Sequence, residues 1–275
     1  MHQDKIATWD GISLFYHAWN IEKAKQKALI LFHGGHEHSG RFTSMIEMLD
    51  LKDYMCFACD ARGHGRSDGV GDYSKSFDAL VKDADIFIKH VLNRYSLSMA
   101  NVILLGHSLG GLVVASYVMD YNPGIQAMIL SSPIFKVRTY VPFDRFFLGL
   151  LERLRPSSYV NSYVVASMLT HDKKEIEERR RDPLIRRPIG TKMLLSAIEE
   201  GERLIQRASE IRIPTLILSA GTDWVAHLSA EKEFFKRIGS PSKEMIVYPG
   251  FFHEILHEQD RHKPIQKIRS FLETI

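Results

Sequence analysis

Cysteine is nearly absent: two residues in 275, Cys56 and Cys59. They form a Cys-x-x-Cys inside the run Tyr54–Cys59, which reads as a strand. A separation of three along a strand sends the two side chains to opposite faces. A redox pair or half a zinc site needs both sulfurs on one side, so the expectation is two buried thiols. No uninterrupted apolar run is long enough to span a bilayer. The opening MHQDKIATWDG carries no apolar core segment of the signal-peptide kind, which makes a cytoplasmic location the expectation. A strong charge balance is missing too. The 36 Lys+Arg against 33 Asp+Glu leave +3, which does not point to nucleic acid as a partner. There are no internal repeats and no low-complexity segments. What remains is an ordinary globular composition, 45% hydrophobic and 25% charged, in a chain long enough for one large α/β domain or one domain with an insertion.

The stretch that organises the chain is 101–117, NVILLGHSLGGLVVASY. Residues 102–105 form a short apolar run suited to a strand buried on both faces. Gly106-His107-Ser108-Leu109-Gly110 follows, and then Leu112, Val113, Ser116 and Tyr117 recur at helical spacing. Strand, Gly-x-Ser-x-Gly, helix is the setting a nucleophile elbow requires. The serine would sit on a strained turn, where a Cβ at either flanking glycine would strike neighbouring backbone. The new helix would aim its first amides at an oxyanion formed there.

The rest of the chain alternates in a regular way. Residues 6–9 and 12–19 flank Asp10-Gly11, a hairpin signal. Further strands are expected at 28–32, Tyr54–Cys59 and Ala127–Ser131, with helices near 41–49 and over 74–95. Between 132 and about 207 no convincing buried strand is legible, and the segment reads as several helices with many charges. Strands return at 213–219 and 244–248, with helices at 229–238 and at the C-terminus. The pattern predicts a mostly parallel sheet covered on both faces, interrupted after the sixth strand by a helical insertion of roughly seventy residues. Residues 1–132 and 208–275 would form the core and 133–207 a cap. In such sheets the active site gathers at the carboxyl ends of the strands.

A serine nucleophile needs a base to take its proton and an acid to orient that base. Asp223 follows a strand in a Gly-Thr-Asp turn, and His253 follows the next strand after Tyr248-Pro249-Gly250. Each would be delivered to the same sheet edge, in the order Ser, Asp, His. His257 lies four residues past His253 and is expected to pack or hydrogen-bond. Asp172 and Asp182 are rival acids, but both fall in the insertion, where no strand would hold them.

Together these residues resemble a serine hydrolase of the α/β-hydrolase superfamily, and within it the monoacylglycerol lipase and lysophospholipase branch. The resemblance rests on His33-Gly34-Gly35-His36-Glu37-His38-Ser39-Gly40-Arg41-Phe42, on Asp60-Ala61-Arg62-Gly63-His64-Gly65-Arg66-Ser67, on the elbow, on Asp182-Pro183-Leu184, and on the Asp223 and His253 loops. It covers nearly the whole chain and is weakest between Lys136 and Arg180. It implies an oxyanion hole formed by the backbone amides of Gly35 and Leu109, and chemistry that uses no cofactor and no metal. His33, His36 and His38 would then belong to the oxyanion loop, and Arg62, His64 and Arg66 to a scaffold loop. Leu109 stands where the branch usually has Met, and Phe42 where it often has Tyr; neither supplies a reacting group.

The resemblance also makes the insertion a lid. Tyr140-Val141-Pro142-Phe143 leads into Phe146, Phe147, Leu148, Leu150, Leu151 and Leu154, more apolar side chains than an exposed helix would carry. Phe143, Phe146 and Phe147 are the candidates for contact with an acyl chain. Between Pro133 and Gly190 twelve Lys/Arg face seven Asp/Glu, a net of +5 that leaves −2 for the remainder. The expected activity is hydrolysis of a single-chain lipid ester, monoacylglycerol or lysophospholipid, with peripheral contact between the lid and an anionic membrane. A thioesterase, a small-ester esterase or an aminopeptidase using the same machinery is the alternative. A non-catalytic binding module on this fold is disfavoured by the complete set of three residues. Composition does not set the oligomeric state.

Overall fold

The computed structural model describes residues 1–21, 26–69, 76–140 and 143–275. Its centre is an eight-stranded sheet. β1 (His2–Ala7) and β2 (Ser13–Trp19) pair antiparallel, and β2 pairs antiparallel with β4 (Tyr54–Cys59). From there on every pairing is parallel, through β3 (Lys27–Phe32), β5 (Val102–His107), β6 (Ala127–Ser131), β9 (Thr215–Ala220) and β10 (Lys243–Tyr248). The spatial order is β1-β2-β4-β3-β5-β6-β9-β10. The opening hairpin differs from expectation. Its first strand ends at Ala7, and the turn closes through Thr8 N to Ile12 O (2.8 Å) rather than across Asp10-Gly11 alone. Asp10 is drawn aside: it accepts from Thr8 Oγ1 and pairs with the buried Arg62.

Alternation along the central strands divides the core into two layers. Val102 and Leu104 join one apolar cluster, Ile103 and Leu105 the other. Cys59 and Cys56 divide in the same way, and both are buried. The first layer is closed by α2 (Asp78–Tyr95), α3 (Leu109–Tyr121) and α7 (Leu228–Arg237), the second by α1 (Thr43–Leu49) and α8 (His262–Thr274). Side chains such as Leu104 and Ile103 are wholly buried, each stabilising the fold by roughly 1.5–3 kcal/mol. The expected start of α2 at Ser74 lies outside the described residues.

Between β6 and β9 run α4 (Asp144–Leu154), β7 (Tyr159–Asn161), α5 (Lys173–Arg181), β8 (Pro188–Gly190) and α6 (Thr191–Arg207). The pairing of β7 with β8 is not expected from the sequence. Each strand has three residues, too short for alternation to register. α6 turns Met193, Ala197 and Leu204 into the same cluster as α3 and α7, so this segment shares the main core at its C-terminal end.

Candidate active site

The site is built on two close approaches of backbone. β5 runs directly into α3, and Ser108 at the junction takes φ 54 and ψ −118, a conformation side chains rarely adopt. A Cβ on Gly106 would lie 2.3 Å from Gly110 O, and one on Gly110 would lie 2.1 Å from Phe32 O on β3. Neither position has room for a side chain, which is why the elbow needs glycine at both. Ser108 N donates to Ser131 O (2.9 Å) and ties the turn to β6.

Parallel strands bring the partners to the same edge. Ser108 Oγ lies 2.8 Å from His253 Nε2, and His253 Nδ1 lies 2.7 Å from Asp223 Oδ2. The amides of Val225 and Ala226 donate to Asp223 Oδ1 at 2.7 and 2.8 Å, which fixes the carboxylate with its other oxygen toward the imidazole. Burial opposes the Asp223 charge, but the charge and hydrogen bond of His253, with the two amides, hold this carboxyl below its ordinary range. Burial also pulls the His253 imidazole down. The charge of Asp223 and its hydrogen bond, then Glu254 and Glu37, outweigh burial and leave the ring above its ordinary value. A carboxylate that orients an imidazole facing a hydroxyl is an arrangement able to draw off the hydroxyl proton.

The rivals are engaged elsewhere. His257 sits on the short turn Ile255–His257 and faces Arg41 O at 3.1 Å. Asp172 caps α5 and pairs with Arg261, while Asp182 accepts from Leu184 N and meets His38 at 2.8 Å. The neighbouring ring of His107, pushed down to about 4 by burial, is neutral.

The loop after β3 lies against Ser108 and is held rigidly. Ala61 N donates to His33 Nε2 (2.9 Å), so the proton of this ring is on Nδ1 and is donated to Gly34 O (2.7 Å). In a trans peptide the carbonyl and the next N–H point in opposite directions. Fixing Gly34 O therefore fixes the direction of the Gly35 amide. Glu37 Oε1 accepts from Gly34 N (2.6 Å), and His64 Nε2 lies 2.8 Å from Gly35 O. Leu109 is the first residue of α3, so its amide has no acceptor within the helix. The three loop histidines diverge, His36 to Arg186 O and His38 to Asp182. Among the described residues no group of three His, Cys, Asp or Glu is arranged to hold a metal ion. Arg62 is wholly buried between Asp83 and Asp10, and this locks the loop that carries His64.

A cavity of about 430 Å³ opens from Ser108, Leu109, Gly35 and His253 and runs under the inserted segment. Its far wall is apolar, with Leu148, Leu151, Val160, Ile189, Leu194 and Ile198. Of the three phenylalanines proposed to meet an acyl chain, Phe147 lines the cavity; Phe143 and Phe146 are not in its wall and stand 78% and 67% exposed. Val141 and Pro142 lie outside the described residues. Sequence reading did not single out Glu37, Glu254 and Arg179, which form the charged part of the wall. The available signal was position alone, since Glu254 follows the candidate base directly.

A mostly parallel sheet in this order, with a strand–elbow–helix at its centre, defines a serine hydrolase of the α/β-hydrolase class. Residues 23–260 match the Hydrolase_4 family, described as serine aminopeptidase, S33, and the chain belongs to that family. The uncharacterized protein YnbC of Escherichia coli (strain K12) is 38% identical over 268 residues, which make up 97% of this chain and 46% of YnbC. The chain thus spans about half the length of that relative. The monoacylglycerol lipase of Mycolicibacterium smegmatis is 25% identical over 266 residues, 95% of this chain and 93% of that protein. The crystal structure of Paleococcus ferrophilus monoacylglycerol lipase matches with a TM-score of 0.83 at 25% identity, over 94% of this chain and 98% of that one.

Proposed function

We propose that the protein hydrolyses single-chain lipid esters, monoacylglycerols or lysophospholipids, through an acyl-enzyme. Ser108 attacks the ester carbonyl, and His253 takes its proton and returns it to the leaving alcohol. Asp223 orients His253 and stabilises its charged form, while the amides of Gly35 and Leu109 bind the oxyanion. Water activated by His253 then releases the fatty acid. The observation that carries this reading is the cavity: an apolar channel that starts at Ser108 and His253 suits an acyl chain better than a peptide. The names of the relatives from Mycolicibacterium and Paleococcus point the same way.

The segment 133–207 is the cap over this channel. Its helix α4 exposes Phe146, Leu150 and Leu154, spaced to share one face, with Phe143 exposed just before it, beside the exposed Arg145, Arg153 and Arg155. An apolar stripe bordered by cations suits an anionic bilayer surface. No helix among the described residues is long and apolar enough to cross a membrane.

One observation favours a second reading. An aminopeptidase needs a carboxylate for the substrate's amine, and Glu37 and Glu254 both line the cavity. Both are already occupied by cations, Glu37 by Arg41 and Glu254 by Arg41 and Arg179, which weighs against an ammonium partner. The test is fatty-acid release from a panel of monoacylglycerols, lysophospholipids and acyl thioesters, beside an aminoacyl arylamide, for the parent and Ser108→Ala. Ester turnover is expected to fall by several orders of magnitude in the variant, with fluorophosphonate labelling lost. Activity of Ser108→Ala within about tenfold of the parent would sink the assignment.

A further inference from the structure

α5 ends in three consecutive arginines, and they behave differently. Arg180 and Arg181 are exposed and lean on Glu177 of their own helix. Arg179 is turned inward and buried. Its Nη1 pairs with Glu254 Oε1, and its Nη2 donates to His36 O at 2.6 Å. Glu254 follows His253, and His36 follows Gly35, so one guanidinium holds both loops.

The surrounding contacts have the same direction. Arg41 Nη2 bridges Glu254 Oε2 (3.1 Å) and Glu175 Oε2 (3.2 Å) on α5. His38 meets Asp182, and His36 Nδ1 meets Arg186 O at 2.9 Å. Glu254 N donates to Leu169 O (2.9 Å), just before α5. Two carboxylates, Glu254 and Glu37, act on the His253 imidazole, and two guanidiniums, Arg179 and Arg41, neutralise them. Among the described residues, other groups around this ring include Asp223 from the β9 loop, His107 and Ser108 from the elbow and His257 on its own loop; Tyr163, His227 and Glu231 act on Asp223, and Glu175 on α5 pairs with Arg41. Burial opposes the Glu254 charge, but Arg179 and then Arg41 keep it ionised.

We propose that Arg179, carried on α5 outside the sheet, is a positioning residue of the hydrolytic site: it pins the His253 loop and the Gly35 loop to one helix, and its charge offsets the carboxylates that face His253. The proposal rests on the catalytic reading above. It also gives two opposite predictions for the pH profile. His253 must be neutral to accept the serine proton, so kcat/KM rises through its titration, which lies above the ordinary imidazole value. Arg179→Gln leaves Glu254 without this cation, favours the imidazolium, and moves the acid limb to higher pH, by about half a unit to one unit. Glu254→Gln removes a negative charge and moves the limb to lower pH by a similar amount. Arg179→Lys keeps the charge but loses the two-pronged grip, so its limb stays in place while kcat falls. Arg179→Gln/Glu254→Gln returns the limb to near the parent position.

The assay is kcat/KM against a short-chain nitrophenyl ester from pH 5 to 9, with melting curves for each variant. Opposite displacements in the two single variants support the proposal. If Arg179→Gln does not fold, Arg179→Lys decides: a lowered kcat with the limb in place supports the proposal, and an unchanged kcat overturns it. Limbs within about 0.2 unit of the parent in every folded variant, with activity lost, would mean a merely structural role and overturn it. A parent that neither turns over the ester nor labels with a fluorophosphonate would instead refute the catalytic reading itself.

Discussion

Gly110→Ala adds one methyl group at the point where α3 begins against β3. The added Cβ would lie 2.1 Å from Phe32 O and 2.7 Å from His33 O, where real Cβ contacts essentially never fall below 3.0 Å. The helix must therefore retreat by about 0.9 Å, the difference between 3.0 and 2.1 Å. Both obstructing atoms are backbone, one in a central strand and one at the root of the Gly35 loop, so neither can swing away. Alanine would otherwise be the better helix former by about 0.8–1 kcal/mol. Overpacking costs typically 1–3 kcal/mol, and here the upper end applies because nothing flexible absorbs the clash. For a chain of this size that is a fall in melting temperature of about 6–12 °C. The same displacement moves Ser108 against His253, and an error of about 1 Å costs on the order of a hundredfold in rate. The control is Gly149→Ala, the identical change on exposed α4 with nothing within 4 Å of the new Cβ; its melting point should stay or rise. Thermal denaturation and fluorophosphonate labelling rates measure both effects. A Gly110→Ala protein that melts within about a degree of the parent and labels at its rate would refute the elbow geometry.

The two histidines separate by mutation. His253→Ala should lose nearly as much ester turnover as Ser108→Ala, whereas His257→Ala, which loses a contact to Arg41 O, should keep most of its activity if folded; the reverse ranking would mean that the base is misassigned. Membrane contact is read by co-sedimentation with vesicles. Binding should favour anionic lipid, at about 1 kcal/mol per cation near the surface, and fade at 1 M salt, where the Debye length is about 3 Å. Phe146→Ser/Phe147→Ser should weaken it, and equal binding by this variant would remove α4 from the contact.

The sheet and the Ser108, Asp223 and His253 loops were legible because each rests on a local pattern. Apolar runs such as 102–105 mark strands buried on both faces, and the Gly-x-Ser-x-Gly spacing encodes a clash that only glycine avoids. The role of Arg179 was not legible, for a physical reason. Lys173–Arg181, KKEIEERRR, has the composition of a solvated helix, and an inward face made of charges leaves no apolar periodicity to detect. Glu175 and Arg179 are four residues apart and buried on the same face, yet this pairing is also common on exposed helices. Only the arrival of Glu254 and Arg41 from distant loops distinguishes the two cases. Composition similarly could not divide the phenylalanines between cavity and solvent, because 146 and 147 are neighbours on α4 and 143 stands just before it.

The two sides of the inserted segment are held in physically different ways, and this bears on how a lipid would enter. On the α5 side, 169–186 is fastened to the loops after β3 and β10 by buried ion pairs and hydrogen bonds from Leu169, Glu175, Arg179, Asp182 and Arg186. Breaking one such buried pair costs about 3–5 kcal/mol, since the partner charge is left without compensation. On the α4 side the polar ties among the described residues include Arg145 to Glu202, which is exposed, Glu152 to Thr191, Thr191 N to Ser158 O (2.9 Å) and Tyr140 Oη to Trp224 O (2.9 Å). An exposed ion pair is worth at most about 1 kcal/mol. Local opening follows the smaller free energy. Entry between α4 and α6 would therefore leave the Gly35 and His253 loops undisturbed, whereas entry past α5 would dismantle both. On the proposed lipid activity, the exposed side chains Phe146, Leu150 and Leu154 of α4, with Phe143 just before it, lie on this flank of the channel, away from the loops that Arg179 holds.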